Sequence, residues 1–211
     1  MINAIGDSHV LFLFSDGGNT DRGMPGVARY YLGPRTMRRV SHLYDRLLPD
    51  TFAGLAMKVD DVALCCFGEI DMRCHLHNLI QDQKEAPVVV IKRLVARYLH
   101  RIQTLETGEG RVGVVNVVPP VPQCDTDTSP DEFPVAGTEQ ERSEYVAAFN
   151  FHLHEGCYQK GIILADVYSA YVGDGGLMRA GCSDGHVHVR NNDRVPAVLA
   201  SMGVPPKGPL G

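Results

Sequence analysis

Two short polar segments near opposite ends of the chain contain the side chains that acyl-transfer chemistry uses. Gly6-Asp7-Ser8 follows a short apolar run, and Ser183-Asp184-Gly185-His186-Val187-His188 lies close to the other end. A serine hydroxyl becomes a good nucleophile only when a neighbouring base takes its proton. Histidine titrates near neutral pH and can be that base, while an aspartate orients its ring. The two segments therefore predict a nucleophilic site, provided that folding brings them together.

Asp184 is followed by two histidines, and the local pattern favours the second as the base. His188 lies in the run Val187-His188-Val189, whose alternation is typical of an extended segment with the ring opposite its apolar neighbours. His186 would lie on the same side and is the fallback base. We therefore predict Ser8, Asp184 and His188 as the catalytic residues.

Strands and helices alternate in the remaining sequence. Apolar runs predict strands at 1–5, 27–32, 62–67, 112–118 and 162–167. Helices are predicted at 35–48, at 72–81 with Asp71 as its cap, at 87–105, at 138–159 with a Thr138–Glu141 capping box, and at 196–202. Residues 15–26 and 119–137 are predicted loops. We expect a single domain over 1–211, a three-layer α/β/α sandwich of flavodoxin-like style with about five parallel strands, in which 203–211 form a flexible tail.

Polar or glycine-containing turns follow several of the predicted strands. They are Gly6-Asp7-Ser8, Gly33-Pro34, Gly68-Glu69-Ile70-Asp71 and Pro119-Pro120. Ligands of parallel α/β sheets bind at the carboxyl ends of the strands. We therefore expect these turns to meet at one edge of the sheet and to form one site there.

The turns resemble the sequence blocks of the SGNH/GDSL hydrolase family. Gly6-Asp7-Ser8 is similar to the nucleophile block, and Gly33 to the glycine block that supplies a backbone N–H to the oxyanion hole. Gly68-Glu69-Ile70-Asp71 resembles the third block, normally Gly-x-Asn-Asp, and Asp184 with a following histidine resembles the last, normally Asp-x-x-His. The longer run over 68–75 is also similar to a subgroup often linked with bacterial or viral glycan gene clusters.

This resemblance implies a serine esterase that cleaves a small acyl ester through an acyl-serine intermediate. An O-acetyl group on a carbohydrate is the implied substrate class, and neither a cofactor nor a metal ion is implied. The implied oxyanion donors are the backbone N–H groups of Ser8 and Gly33, joined by Arg73. The implied substrate-binding residues are Asp7, Arg35, Glu69, Asp71 and Arg73.

The chain departs from the family pattern at two positions. Ile70 stands where the third block has the asparagine that donates to the oxyanion, and the loss of one such donor costs about 2.7–4 kcal/mol of transition-state stabilisation. Arg73 and Arg35 are the candidate replacements. In the last block, Val187 stands where the family has its histidine, so that the two histidines of this chain flank the usual position.

Other functions stay open at this point. A sugar O-acyltransferase would use the same three catalytic residues, and a non-catalytic glycan-binding module would explain Ile70. A metal site is less favoured because His75 and His77, two residues apart, face different sides of a helix, although His9 also lies beside Ser8. Asp7 and Asp71 as a carboxylate pair for glycoside cleavage would need a separation that the sequence does not define.

Composition limits the cellular compartments and the classes of partner that we expect for this protein. The net charge of −5 argues against a nucleic-acid partner, because phosphate binding needs a basic surface. No apolar run approaches the ~20 residues that span a bilayer, and no secretory signal is visible. The six cysteines show no metal-type pairing and are predicted to be buried thiols, so we expect a cytoplasmic protein. The partner that the family resemblance implies is a small-molecule or glycan ester, and we expect neither a membrane nor a nucleic-acid partner.

Overall fold

The structure, a computed structural model, describes residues 1–122 and 133–203 and is built around one parallel sheet. The strands are Ile2–Gly6 (β1), Ser15–Asp16 (β2), Asn19–Gly23 (β3), Val27–Tyr31 (β4), Val62–Cys66 (β5), Arg111–Val115 (β6) and Ile163–Ala165 (β7). Five of them form the main sheet in the order β4-β1-β5-β6-β7, and every neighbouring pair is parallel. The first strand therefore lies between the second and third strands of the sheet, as in flavodoxin-like folds.

Helices cover both faces of this sheet. They are His9–Leu13 (α1), Met37–Val40 (α2), Leu47–Ala53 (α3), Leu76–Gln83 (α4), Pro87–Gln103 (α5), Glu139–Lys160 (α6), Val167–Tyr171 (α7) and Val195–Ser201 (α8). A π-helix over Asp71–His75 runs into α4, and a short 3-10 helix spans Asp174–Gly176. The predicted capping box at the start of α6 is present, with Thr138 and Glu141 bonded to each other's backbone N–H.

Two apolar cores lie on opposite faces of the sheet. Ile5 of β1 packs in a core with α5 and α6, where Tyr98 and Phe149 are fully buried. Ala4, which points to the other side, packs in a core with α1, α7 and α8 that contains Phe14 and Leu199. Burial of a large apolar side chain such as Ile5, Phe14 or Leu199 contributes about 1.5–3 kcal/mol relative to exposure. The prediction of a three-layer sandwich with about five parallel strands is confirmed.

The predicted helix over 35–48 is wrong, because two short helices, α2 and α3, replace it. The Ser41 hydroxyl donates back to the Met37 carbonyl at 2.6 Å, and the Asp45 carboxylate accepts from the Leu47 backbone N–H at the start of α3. Side-chain bonds of this kind compete with a continuous helix. Tyr44, one of the apolar residues whose spacing predicted the helix over 35–48, is 83% exposed.

The predicted loop over 15–26 also contains regular structure, since β2 and β3 form a small antiparallel hairpin. Gly17 and Gly18 at its tip both have positive φ, at 58° and 81°, as a two-residue turn of type I′ requires. The polar, glycine-rich sequence conceals this hairpin because β3 is largely exposed and both strands lack the apolar alternation by which strands are identified.

Parts of two predicted segments lie outside the described residues. The tail predicted over 203–211 is described only at Gly203, and the loop predicted over 119–137 only at 119–122 and 133–137. Within 1–122 and 133–203, no helix is both long enough and apolar enough to cross a membrane.

Candidate active site

Ser8 lies just beyond the carboxyl end of β1, at the start of α1. Gly6 permits this turn, because a Cβ atom at that position would lie only 2.0 Å from the carbonyl oxygen of Cys66 on β5. The Asp7 backbone N–H donates to the same carbonyl oxygen at 3.3 Å. The turn therefore leaves the sheet where β4 and β5 flank β1, which is the topological switch point where ligands of such sheets bind.

The loop that holds the predicted acid and base is closed by its own hydrogen bonds. Ser183 and Val189 form an antiparallel bridge, and the Asp184 backbone N–H donates to the His188 carbonyl at 3.0 Å. The Asp184 Oδ1 atom accepts from the backbone N–H groups of His186 and His188, at 2.8 and 3.1 Å. The carboxylate of Asp184 thus fixes the backbone that positions His188.

The two ends of the chain meet in this structure. Ser8 Oγ lies 3.0 Å from His188 Nε2, although the residues are 180 positions apart. His188 Nδ1 lies 3.0 Å from Asp184 Oδ2, so one imidazole connects the hydroxyl and the carboxylate. His186 is exposed, and it is its backbone N–H that contacts Asp184. The geometry therefore selects His188 rather than the fallback histidine.

The electrostatics of this group suit a neutral imidazole. Burial, and next the positive charge of His9, lower the pKa of His188, while Asp184 opposes them through its hydrogen bond and charge. Burial alone would raise the pKa of Asp184, but hydrogen bonds from His188 and from two backbone N–H groups hold it below its usual range. At neutral pH, an uncharged ring between a hydroxyl and a carboxylate is ready to accept a proton.

Two aromatic side chains that the sequence analysis did not select hold the His188 ring. Phe12 of α1 stacks on it with ring centroids 3.9 Å apart and planes within 5°. His9 lies on it at 4.9 Å with a tilt of 47°. Phe12 is four residues after Ser8, so helical spacing places both on one face of α1. The four-residue spacing of Ser8 and Phe12 was a signal in the sequence for this contact. It could be interpreted only with the position of the last loop against α1, which the sequence does not give.

The glycine block lies beside the nucleophile turn. The Leu32 backbone N–H donates to the Gly6 carbonyl at 2.8 Å, which places Gly33 next to the end of β1. Within the described residues, the backbone N–H groups of Ser8 and Gly33 have no hydrogen-bond acceptor. Arg35 donates from Nε to the Leu32 carbonyl at 3.3 Å, so this arginine braces the same segment.

The third block contributes an aspartate to the scaffold. Asp71 is 2% exposed, and its two carboxylate oxygens accept from the backbone N–H groups of Met37 and Arg38, at 2.5 and 3.1 Å. The prediction that Asp71 caps its own helix is wrong, because it caps α2. Both carboxylate oxygens are buried and engaged in these bonds, and the contact of Asp71 with substrate stays a prediction. Ile70 beside it is also buried.

Glu69 and Arg73, both predicted to bind substrate, form a nearly buried pair. Arg73 donates from Nε to Glu69 Oε1 at 2.6 Å and from Nη2 to Oε2 at 3.2 Å, and each side chain is 13% exposed. A third bond joins Arg73 Nη1 to the Phe133 carbonyl at 3.1 Å. Burial would raise the pKa of Glu69, but the charges of Arg73 and His9 lower it. The pair is therefore charged at neutral pH.

Asp7 lies beneath the nucleophile turn. It is 1% exposed, and its Oδ1 atom accepts from the backbone N–H of His9 at 3.0 Å and from His9 Nδ1 at 3.2 Å. Its Oδ2 atom is buried without a hydrogen-bond partner in the described part of the chain. The folded chain covers this carboxylate and directs it towards His9, and the contact of Asp7 with substrate stays a prediction.

A narrow cleft opens beside the Glu69–Arg73 pair in the described structure. Its apolar walls come from the end of β6, the segment after it and α6, and Val187 of the last loop closes one side. The cleft therefore combines an apolar surface with a charged end, next to the residue that precedes His188.

The histidines considered for a metal site lie apart. His75 is exposed, and His77 pairs through Nδ1 with Glu141 at 3.6 Å. Over 1–122 and 133–203, no three histidine, cysteine, aspartate or glutamate side chains form a group that could hold a metal ion.

Solved structures of several proteins are similar to this chain over almost its whole length. The native aryl esterase of M. smegmatis superposes with a TM-score of 0.57 at 16% identity, over 96% of this chain and 97% of its own. A carbohydrate acetylesterase from Sinorhizobium meliloti gives 0.55 at 13% identity, over 96% and 97%. A protein described as lipolytic, of the G-D-S-L family, from Desulfitobacterium hafniense DCB-2 gives 0.53 at 12% identity, over 95% and 98%.

Sequence comparison adds nothing to this, since no protein-family model and no curated protein matches the chain. The structural similarity extends over nearly the whole of this chain and of the two esterases. The resemblance that the sequence motifs indicated is therefore confirmed at the level of the fold: this chain has the fold that the aryl esterase, the carbohydrate acetylesterase and the G-D-S-L protein share.

Proposed function

We propose that this chain is a serine esterase that cleaves a small acyl ester through an acyl-serine intermediate. The observation that carries the proposal is the continuous hydrogen-bonded series from Ser8 Oγ through the His188 ring to Asp184 Oδ2, with both contacts at 3.0 Å. This is the geometry in which a base can activate a hydroxyl while a carboxylate orients the base.

In the first half of the reaction, Ser8 Oγ attacks the ester carbonyl carbon and its proton passes to His188 Nε2. Asp184 keeps its negative charge and stabilises the imidazolium that forms. The tetrahedral intermediate then collapses, and His188 gives the proton to the departing alcohol oxygen. The acyl group is left on Ser8.

In the second half, His188 takes a proton from a water molecule, whose oxygen attacks the acyl-serine. Collapse of the second intermediate breaks the bond to Ser8 Oγ, and His188 returns the proton to that oxygen. The products are a carboxylic acid and the free serine. The lowered pKa of His188 supports this cycle, because the base must be neutral before each attack.

For the developing oxyanion we propose the backbone N–H groups of Ser8 and Gly33 as donors. Both are without an acceptor in the described residues, which leaves them available. Ile70 offers no donor, and we assign the third place to Arg73. Its guanidinium has five N–H groups, of which the described contacts to Glu69 and Phe133 use three.

As substrate we propose an O-acetyl ester of a carbohydrate, bound in the cleft beside Glu69 and Arg73. The fold shared with a protein named as a carbohydrate acetylesterase supports this class. Carboxylate and guanidinium groups bind sugar hydroxyls by hydrogen bonds, and Arg35 would extend the same polar edge. The apolar walls of the cleft suit the less polar part of the substrate.

We further propose a cytoplasmic location. The described cysteines, Cys65, Cys66, Cys74, Cys157 and Cys182, are all buried and carry free thiols. Burial raises the pKa of the Cys65 and Cys66 thiols, which keeps them protonated and inert. A chain with this many reduced thiols fits a reducing compartment.

A fluorophosphonate probe and p-nitrophenyl acetate test the proposed nucleophile together. The native protein should take up the probe and hydrolyse the ester, whereas Ser8→Ala should lose the labelling and slow turnover by about 10⁴-fold or more. Ser201→Ala is the matched control, because within 1–122 and 133–203 its hydroxyl bonds only to the Val198 carbonyl at the end of α8. Both variants should keep the melting temperature of the native protein within a few degrees.

The same experiment separates the other functions. Turnover that survives in Ser8→Ala would remove this serine from the mechanism. A folded native protein that takes up no probe at any pH would favour a glycan-binding module. If an acetylated sugar appears in place of free acetate when a sugar acceptor is added, the chain is an O-acyltransferase.

A further inference from the structure

His9 is a buried histidine whose two ring nitrogens both face hydrogen-bond acceptors. Nδ1 lies 3.2 Å from Asp7 Oδ1, and Nε2 lies 3.1 Å from the carbonyl oxygen of Val187. A carboxylate and a carbonyl can only accept. A neutral imidazole has one N–H, so it could satisfy one of these partners and would leave its other nitrogen against a second acceptor. Only the doubly protonated ring satisfies both contacts.

The groups around His9 also favour a cation. His9 is 3% exposed, and it faces Asp7 from its own turn, Cys66 and Glu69 from the end of β5, and His188 from the last loop. Burial works against the charge, but the hydrogen bond and the negative charge of Asp7 raise the pKa of His9 to about 9. Glu69 adds a second negative charge, part of which its pair with Arg73 offsets.

The contacts of His9 connect the nucleophile turn with the loop that carries the base. His9 follows Ser8 directly in sequence. Its ring Nε2 atom is hydrogen-bonded to the carbonyl of Val187, the residue before His188. The two histidine rings lie 4.9 Å apart. At that separation, and away from water, a fixed positive charge disfavours a second positive charge on the neighbouring ring.

We propose that His9 is a positioning residue that stays protonated at neutral pH, where it holds the His188 loop against Ser8 and keeps the His188 ring uncharged. This inference rests on the proposed esterase function. The inference predicts the direction in which the charge of His9 shifts the pH dependence of activity. The reaction needs neutral His188, so activity rises as the pH passes the pKa of that ring, and the charge on His9 moves this rise to lower pH.

His9→Gln separates the charge from the contact. The glutamine amide can still donate to the Val187 carbonyl, but it carries no charge. We expect histidine NMR titration of the native protein to show His9 as an imidazolium at neutral pH that loses its proton with a pKa of about 9. In His9→Gln the pKa of His188 should rise by about one unit, and the acid limb of kcat/KM should move up by the same amount.

Two further variants sharpen the test. Asp7→Asn removes the charge that holds the proton on His9, so it should shift His188 in the same direction, and the double variant should shift it little further. His152→Gln is the control, because this histidine also pairs with a carboxylate, Glu155 at 3.1 Å, but lies on α6. It should leave both the titration of His188 and the acid limb unchanged.

A neutral His9 in the native protein at neutral pH would overturn the inference, even if His9→Gln proves unable to fold. An unchanged pKa of His188 in a folded His9→Gln variant would overturn it as well. The titration needs no substrate. A protein that titrates as expected but hydrolyses no ester would therefore refute the proposed function and leave the protonation state of His9 established.

Discussion

The nucleophile–base end of the site and the third block are organised in opposite ways. At the nucleophile–base end, the polar side chains are hydrogen-bonded to one another, in a series from Ser8 through His188 to Asp184. In the third block the acidic side chains bond to other groups. Asp71 accepts from backbone N–H groups at the start of α2, and Glu69 accepts from the Arg73 guanidinium. Residues of the same types, at the positions of a catalytic motif, can therefore serve either the chemistry or the framework.

The largest effect should come from the nucleophile–base end. His188→Ala should lower kcat for p-nitrophenyl acetate by about 10⁴-fold or more, because no other described side chain lies against Ser8 Oγ to take its proton. His186→Ala is the matched control in the same loop, and it should change kcat by less than about threefold, since the contact of His186 with Asp184 is made by its backbone. The opposite order of the two variants would reassign the base.

A smaller effect is expected where the third block meets the reaction. Arg73→Ala should lower kcat by about 10²-fold with little change in KM if its guanidinium stabilises the oxyanion. Arg46→Ala is the control: it breaks an ion pair of the same four-residue spacing with Asp50, whose side chains are 78% and 60% exposed. It should leave kcat unchanged. A rise in KM alone in Arg73→Ala would make this arginine a substrate-binding residue and leave the oxyanion to the backbone.

The smallest effect on activity should come from the scaffold part of the third block. Asp71→Asn replaces a carboxylate that accepts two backbone N–H bonds with an amide that can accept through one oxygen only. We expect the free energy of unfolding to fall by about 2 kcal/mol, measured by urea denaturation, while kcat falls less than about tenfold. Asp82→Asn, on the exposed face of α4, should change neither. A large loss of kcat at unchanged stability would return Asp71 to the chemistry.

Local patterns and chain order were enough to predict the sheet, and they selected Ser8, Asp184 and His188, which the structure brings together. Apolar runs identified each strand of the main sheet, and the parallel arrangement then placed the turn at Ser8 at the strand ends. The alternation over 187–189 selected His188, because an extended segment fixes which side a ring faces. These features depend on periods of two or four residues, which a single sequence contains.

What the sequence could not provide are contacts between distant segments. Asp71 bonds to residues more than thirty positions earlier, at Met37 and Arg38, so its position after β5 gave no sign of that role. Nothing in the sequence showed that Asp7 would be buried against His9, or that Val187 would bond to the same ring. The break between α2 and α3 depends on hydroxyl and carboxylate bonds that periodicity does not register.

The stacking of Phe12 on His188 has a mechanical consequence. Phe12 and Ser8 belong to one short helical segment, so the platform under the imidazole and the hydroxyl beside it are parts of the same rigid piece. When thermal motion displaces that piece, the ring resting on it is carried along. The distance between Ser8 Oγ and His188 Nε2 should therefore change less than the surrounding loops move, which keeps the two atoms aligned for proton transfer.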